Sequence, residues 1–250
     1  ILTNNSAMVA LQNLKQINQN LASTQNEIST GKKISKAQDN SAMWAISKVM
    51  ESDVSGFRAV SSALSLGEST VAGVGVECQQ QALAGQLAIQ LAEQLGRPVR
   101  WQAAGRNGAV AGDCLQDLLP AVAGQQWDLA LIVLGVSDTT HLTPRPRWRR
   151  NLRGLIEQLQ VCSGRVMLTG VPPLGHFRAL PQPLRGWFGL RAGLMDADLQ
   201  AVARDSGAHS LSLDLPFEPV YLARDGYHPS AAGYRQWAAG IVRQLAPSVV

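Results

Sequence analysis

The chain has 250 residues, 46% of them hydrophobic, with a formal net charge of +4 and three cysteines, Cys78, Cys114 and Cys162. That length can bury one large core or two small ones, but no apolar run reaches the ~18–20 residues of a membrane span, and three scattered cysteines supply neither a disulfide framework nor a zinc site. The N-terminus lacks the basic, apolar, small-residue order of a secretory signal, so a cytoplasmic protein is expected.

The averages conceal a break. All five lysines lie before residue 49, all twelve prolines lie at or after Pro98, and only Arg58 of the seventeen arginines precedes Gly67. The composition is that of two sequences joined, 1–61 and 62–250. The charge excess is accordingly local. It gathers in "RPRWRRNLR", Arg145 to Arg153, which either coats a solvated helix or attracts an anionic substrate or surface, and it does not imply a nucleic-acid-binding face.

In the first segment Ala7, Leu14, Leu21 and Ile28 recur every seven residues, and Ala10, Ile17 and Thr24 follow three behind. This a/d seam predicts a long helix in need of a partner. "STGKKIS" interrupts it at Gly31, and "DNSAMWAISKVMESDVSGF" resumes it with Asp39 or Asn40 as N-cap. Asn, Gln, Ser and Lys fill the other positions, so the segment has too little apolar surface to offset its own ordering entropy. "LTNNSAMVALQNL", "NLASTQNEISTGKKISKAQDN" and "MWAIS" resemble the N-terminal region of bacterial flagellin. That resemblance implies flagellin or the flagellar export machinery as partners of residues 1–61, and flagellar export as a second possible destination. The C-terminal "YRQWAAGIVRQLAPSVV" does not resemble the helix with which that region pairs.

From Ser62 onward, short apolar runs alternate with helical patterns. "SSALSL" is a marginal first strand, and Val99–Trp101, Asp128–Gly135, Arg165–Gly170 and Ser210–Leu215 read as buried strands. "QQQALAGQLAIQLAEQLG" carries Leu83, Leu87, Leu91 and Leu95 on one face and stops at Gly96. The alternation predicts a parallel sheet covered on both faces, with catalytic groups at the carboxyl ends of the strands.

Three loops at those ends contain the chemistry: "LGESTVAGVG" with Ser69, "GVSD" from Gly135 to Asp138, and "DGYHPSAAGY" with Asp225 and His228 three residues apart. Acyl transfer needs a nucleophile, a base to take its proton and a carboxylate that fixes the base's tautomer, and a D-x-x-H turn can hold the last two together. His141, His176 and His209 have no such neighbours and are assigned to surface or core. In this order the motifs, with "TGVPPLG" at Thr169–Gly175, resemble the SGNH or GDSL-type hydrolases over about 185 residues.

The resemblance implies a three-layer α/β/α sandwich behind a helical flagellin-like extension, and a serine esterase that needs no metal or cofactor and takes a small acyl ester. Ser69 corresponds to the nucleophile, with Glu68 where that family usually has Asp; His228 corresponds to the base and Asp225 to its carboxylate. Gly105, with Gly108 as a rival, and the Ser69 N–H correspond to oxyanion donors. Ser137 stands where the family's third donor is Asn, and loss of such a donor costs ~3–4 kcal/mol. The alternative is a flagellin-type structural or export role with the second segment as inactive cargo. "LGESTVA" fits both families, as the end of a long helix or as a strand and nucleophile turn.

Overall fold

A computed structural model describes residues 62–245 except Ala123 and Asp214. The heptad seam, its interruption at Gly31 and the resumed helix lie outside the described residues. Five parallel strands form one sheet in the order β2-β1-β3-β4-β5. They are β1 (Ser62–Gly67), β2 (Arg100–Gly105), β3 (Leu129–Val133), β4 (Val166–Thr169) and β5 (His209–Leu211). The helices are α1 (Ser69–Ala72), α2 (Leu83–Leu95), α3 (Ala111–Asp113), α4 (Val136–Thr140), α5 (Arg145–Cys162), α6 (Leu184–Asp205) and α7 (Ala231–Leu245).

Successive residues of a strand face opposite sides, and this divides the core in two. Leu64, Leu66 and Ile132 pack with Trp148, Leu152, Leu155 and Leu199 of α5 and α6. Ala63, Leu131 and Val133 pack with Leu83, Leu87, Trp237 and Ile241 of α2 and α7. The result is the parallel sheet covered on both faces that the alternation predicts, in the three-layer α/β/α arrangement that the resemblance implies.

The first strand forms despite its weak propensity, because its position is favourable. β1 lies between β2 and β3, every one of its residues is buried, and both faces are covered by helices. Its start is tied down by Asp128, whose carboxylate accepts the Ser62 N–H at 2.8 Å and the Ser62 hydroxyl at 2.9 Å. Tertiary burial here overrides the absence of β-branched residues.

Several boundaries differ from expectation; β3 and β4 are each shorter at both ends than the runs Asp128–Gly135 and Arg165–Gly170. β2 begins at Arg100 rather than Val99 and runs on to Gly105, because it pairs with β1 residue for residue from Ser62↔Arg100 to Gly67↔Gly105. β5 stops at Leu211 rather than Leu215, since among the described residues β4 is its one neighbouring strand and the next residue, Ser212, gives its N–H to the Gln244 side chain at 2.8 Å. α2 starts at Leu83, after glutamines that hold the preceding loop: the Gln79 amide donates to the Ala72 carbonyl at 2.8 Å. The arginine-rich stretch is the first half of α5, and Trp148 in its midst is fully buried with its indole N–H on the Met195 carbonyl at 3.1 Å.

Gly67 closes β1 against β3. A Cβ there would be driven into the Val133 carbonyl oxygen and within 3.0 Å of Val71. Gly67→Ala is expected to destabilise the domain by at least about 1–3 kcal/mol through this overpacking, seen as a lowered Tm in thermal denaturation.

Candidate active site

The chain leaves β1 through Glu68 and enters α1 at Ser69, so the serine sits at the carboxyl end of a central strand. Ser69 is buried, with 6% of its surface exposed. Glu68 is more deeply enclosed, and it reaches across to the start of α4. One carboxylate oxygen accepts the Val136 N–H at 2.9 Å and the other the Ser137 N–H at 2.7 Å. The Ser137 side chain lies beside the same carboxylate. Glu68 therefore satisfies N–H groups at the start of α4 that have no partner within the helix. Burial, opposed by these hydrogen bonds, pushes its pKa up from 4.5 to about 7.

Asp138, the residue after Ser137, makes a second tie of the same kind. It is completely buried and accepts the Ala111 N–H at 2.8 Å, which joins α4 to the loop after β2. Burial raises its pKa to about 6, and likewise raises the Cys114 thiol beside it to about 12. Cys114 is thus an inert core thiol rather than a nucleophile.

Gly105 ends β2 against α1. A Cβ there would lie 2.5 Å from the Ala72 nitrogen and 2.9 Å from the Val71 Cβ, so only glycine permits this approach. Gly108, at φ +76°, faces open space. The packing against the serine turn belongs to Gly105.

The D-x-x-H turn is organised locally. Asp225 Oδ2 lies 2.6 Å from His228 Nδ1, and Asp225 Oδ1 accepts the N–H of Tyr227 at 2.9 Å and of His228 at 3.0 Å. These bonds to the charged form hold the Asp225 carboxyl below its ordinary range against a burial effect that raises it. A carboxylate on Nδ1 fixes the proton there and leaves Nε2 as the basic nitrogen. The stretch following Ser69 packs on this turn: a Cβ on Gly75 would lie 3.3 Å from the His228 Cβ, and the Tyr234 hydroxyl donates to the Val74 carbonyl at 2.6 Å. Burial pushes the Tyr227 hydroxyl up to about 12, and the nearby Glu68 charge adds to the shift. A cavity of about 510 Å³ opens beside Asp225, lined by His176, Arg178, Phe217, Leu222 and Arg224 among others.

The remaining histidines are structural or peripheral. His141 Nδ1 contacts the Ser137 carbonyl at 2.8 Å, His176 stacks edge-on against Phe217, and His209 lies exposed in β5. Among the described residues, no group of three His, Cys, Asp or Glu side chains is placed to hold a metal ion.

The profile of the GDSL-like Lipase/Acylhydrolase family matches residues 65–236. The chain belongs to this family. The profile of the bacterial flagellin N-terminal helical region matches residues 1–92, overlapping the hydrolase match across β1, α1 and most of α2. The chain therefore joins a flagellin-like segment to a GDSL-like domain, and in the shared stretch the residues adopt the hydrolase strand and turn.

A GDSL-like esterase of Mycobacterium tuberculosis is 29% identical over 176 residues, 67% of this chain and 56% of that protein. A flagellin of Brucella melitensis is 52% identical over 71 residues, 28% of this chain and 25% of that protein. The chain thus spans little more than half of the first relative and a quarter of the second. Among solved structures, a psychrotrophic esterase from a Pseudoalteromonas species superposes with a TM-score of 0.61 at 18% identity, covering 76% of this chain and 98% of that one. A carbohydrate acetylesterase from Sinorhizobium meliloti gives 0.58 at 21% identity, covering 75% and 99%. At these identities the likeness is one of fold, the SGNH-hydrolase sandwich.

In sequence, Glu68 stands out only as a replacement for Asp, and nothing gives Asp138 a role. Both are anchors, and the signal for them is an acidic residue at the mouth of an apolar strand. The buried Glu68 carboxyl also sets a pH dependence. The unfolded chain releases that proton near 4.5 and the folded one near 7. Stability from this group is therefore complete below about 4.5 and is lost as pH rises towards 7, by roughly 3 kcal/mol at 1.36 kcal/mol per pKa unit. Glu68→Gln removes this contribution, so chemical denaturation between pH 4.5 and 7 should show a flatter stability profile in the variant.

Proposed function

We propose that the GDSL-like domain is a serine esterase acting through Ser69, His228 and Asp225. The observation that carries this reading is the Asp225–His228 pair, with carboxylate and imidazole 2.6 Å apart, in a turn packed on the stretch that follows the buried serine. His228 Nε2 takes the Ser69 proton as Oγ attacks the ester carbonyl carbon, and the carbonyl π electrons move onto oxygen. The backbone N–H groups of Ser69 and Gly105 receive that oxyanion. Collapse of the tetrahedral species expels the alkoxide, which takes the proton from His228. Water, deprotonated by the same nitrogen, then attacks the acyl-enzyme carbonyl, and collapse breaks the bond to Ser69 Oγ, which takes the proton back from His228 as the acid leaves.

Ser137 takes a different role from the Asn it replaces. Its backbone N–H is bound by Glu68 at 2.7 Å and its side chain lies beside that carboxylate, so we assign it to holding α4 against the serine turn rather than to the oxyanion. The oxyanion site then has two backbone donors and lacks a side-chain donor. For residues 1–61, the 52% identity with a flagellin supports recognition by flagellin or the flagellar export apparatus, carried independently of the hydrolase.

Hydrolysis of p-nitrophenyl acetate tests the reading. Ser69→Ala and His228→Ala should abolish turnover in protein that stays folded by circular dichroism, and Asp225→Asn should reduce kcat by about 10³–10⁴. Retention of activity in Ser69→Ala would overturn the assignment. Ser137→Asn is expected to raise kcat, by at most the 10²–10³ that one oxyanion donor supplies, whereas Ser137→Ala should change it far less.

A further inference from the structure

The cavity beside Asp225 has a lining of its own. Ser69, Gly105, Ser137 and His228 take no part in it, and Asp225 is the one residue of the proposed reacting centre in its wall. Its volume of about 510 Å³ falls within the ~300–1,000 Å³ of small-molecule sites. Two turns form it side by side. A Cβ on Gly226, in the turn before α7, would lie 3.8 Å from the Ala179 Cβ, in the turn after β4.

The apolar wall is preformed. Phe217 is held edge-on by His176 at 5.4 Å and by Phe177 at 5.2 Å between ring centroids, and Phe177 packs in turn on Tyr227 at 5.1 Å. Leu222, bridged through its backbone to Pro229, adds an aliphatic surface. An aromatic ring entering here meets a fixed aromatic partner, without the cost of ordering a pocket around it.

The charges decide what such a ring carries. Arg178 and Arg224 line the cavity, one from each turn; both are exposed, and neither forms a hydrogen bond or ion pair among the described residues. Two acids stand against them. Asp225 is committed to His228 Nδ1 at 2.6 Å and to the N–H groups of Tyr227 and His228 at 2.9 and 3.0 Å. Glu218, exposed and likewise without an ion pair among the described residues, offsets one arginine at most. A guanidinium is left over, and its planar fork matches a carboxylate.

We propose that this cavity binds a small aromatic carboxylate, its ring against Phe217 and Leu222 and its charge on Arg178 and Arg224. The ligand then lies beside Asp225, the carboxylate that orients His228, and outside the ester site itself.

Isothermal titration of the full chain with sodium benzoate tests the site. Binding is read directly and needs no turnover, so this site and the esterase reading fail separately. Benzoate should bind, and benzamide, which keeps the ring and loses the charge, should bind at least about tenfold more weakly. Arg178→Gln and Arg224→Gln should each weaken benzoate about fivefold, and the two together at least about tenfold, the scale of exposed ion pairs. Glu218→Gln should tighten benzoate about two- to fivefold, a gain that misfolding cannot produce. Circular dichroism checks the fold of each variant. Benzamide binding as tightly as benzoate, affinity unchanged in the double-arginine variant, weaker binding by folded Glu218→Gln, or no binding by the folded parent overturns the proposal.

Discussion

The contact on which the candidate site depends is the one between the Glu68 carboxylate and the N–H groups of Val136 and Ser137, at 2.9 and 2.7 Å. It joins the exit of β1 to the entry of α4 and so sets the serine turn against the loop that follows β3. Asp138 extends the same tie to the loop after β2 through the Ala111 N–H. Three loops from three adjacent strands are thus held by two buried carboxyls, at a cost visible in their raised pKa values. Buried acids of this kind are tolerated where hydrogen bonds to backbone N–H groups compensate the lost hydration.

The proposed esterase reading sets Glu68 and Ser137 at positions where the resemblance implies Asp and Asn. A glutamate is one methylene longer than the usual aspartate, and a serine is shorter than the usual asparagine. In the proposed reading the longer acid reaches the Val136 and Ser137 N–H groups, with the Ser137 side chain beside it. In the proposed esterase, what would be a side-chain donor to substrate becomes scaffold, and oxyanion stabilisation falls to the backbone at Ser69 and Gly105. Catalysis through backbone donors alone is compatible with the packing of Gly105 on α1, where any side chain would push the donor strand away.

Much of the fold was legible because its cause is periodic. Leu83, Leu87, Leu91 and Leu95 mark one face of α2, and the apolar run from Leu129 to Val133 could only be a doubly covered strand. The Asp225–His228 pair was legible for a different reason, since three residues of one turn determine it. "SSALSL" was harder, because what makes it a strand is its place between β2 and β3 and the Asp128 carboxylate at its start, both remote in sequence. The ends of β2 and β5 depend likewise on neighbours. The role of Glu68 could not be read at all from local sequence, as its partners lie 68 and 69 residues away. The junction with the flagellin-like segment falls in the same stretch, where one set of residues satisfies two family patterns and tertiary burial decides between them.

The most direct test of the proposed mechanism is covalent trapping of the nucleophile. The full chain would be treated with a fluorophosphonate and the adduct mapped by peptide mass spectrometry. A single stoichiometric phosphonyl group on Ser69, formed far more slowly in His228→Ala, is the predicted result. An adduct on another residue, or none in folded protein, would contradict it.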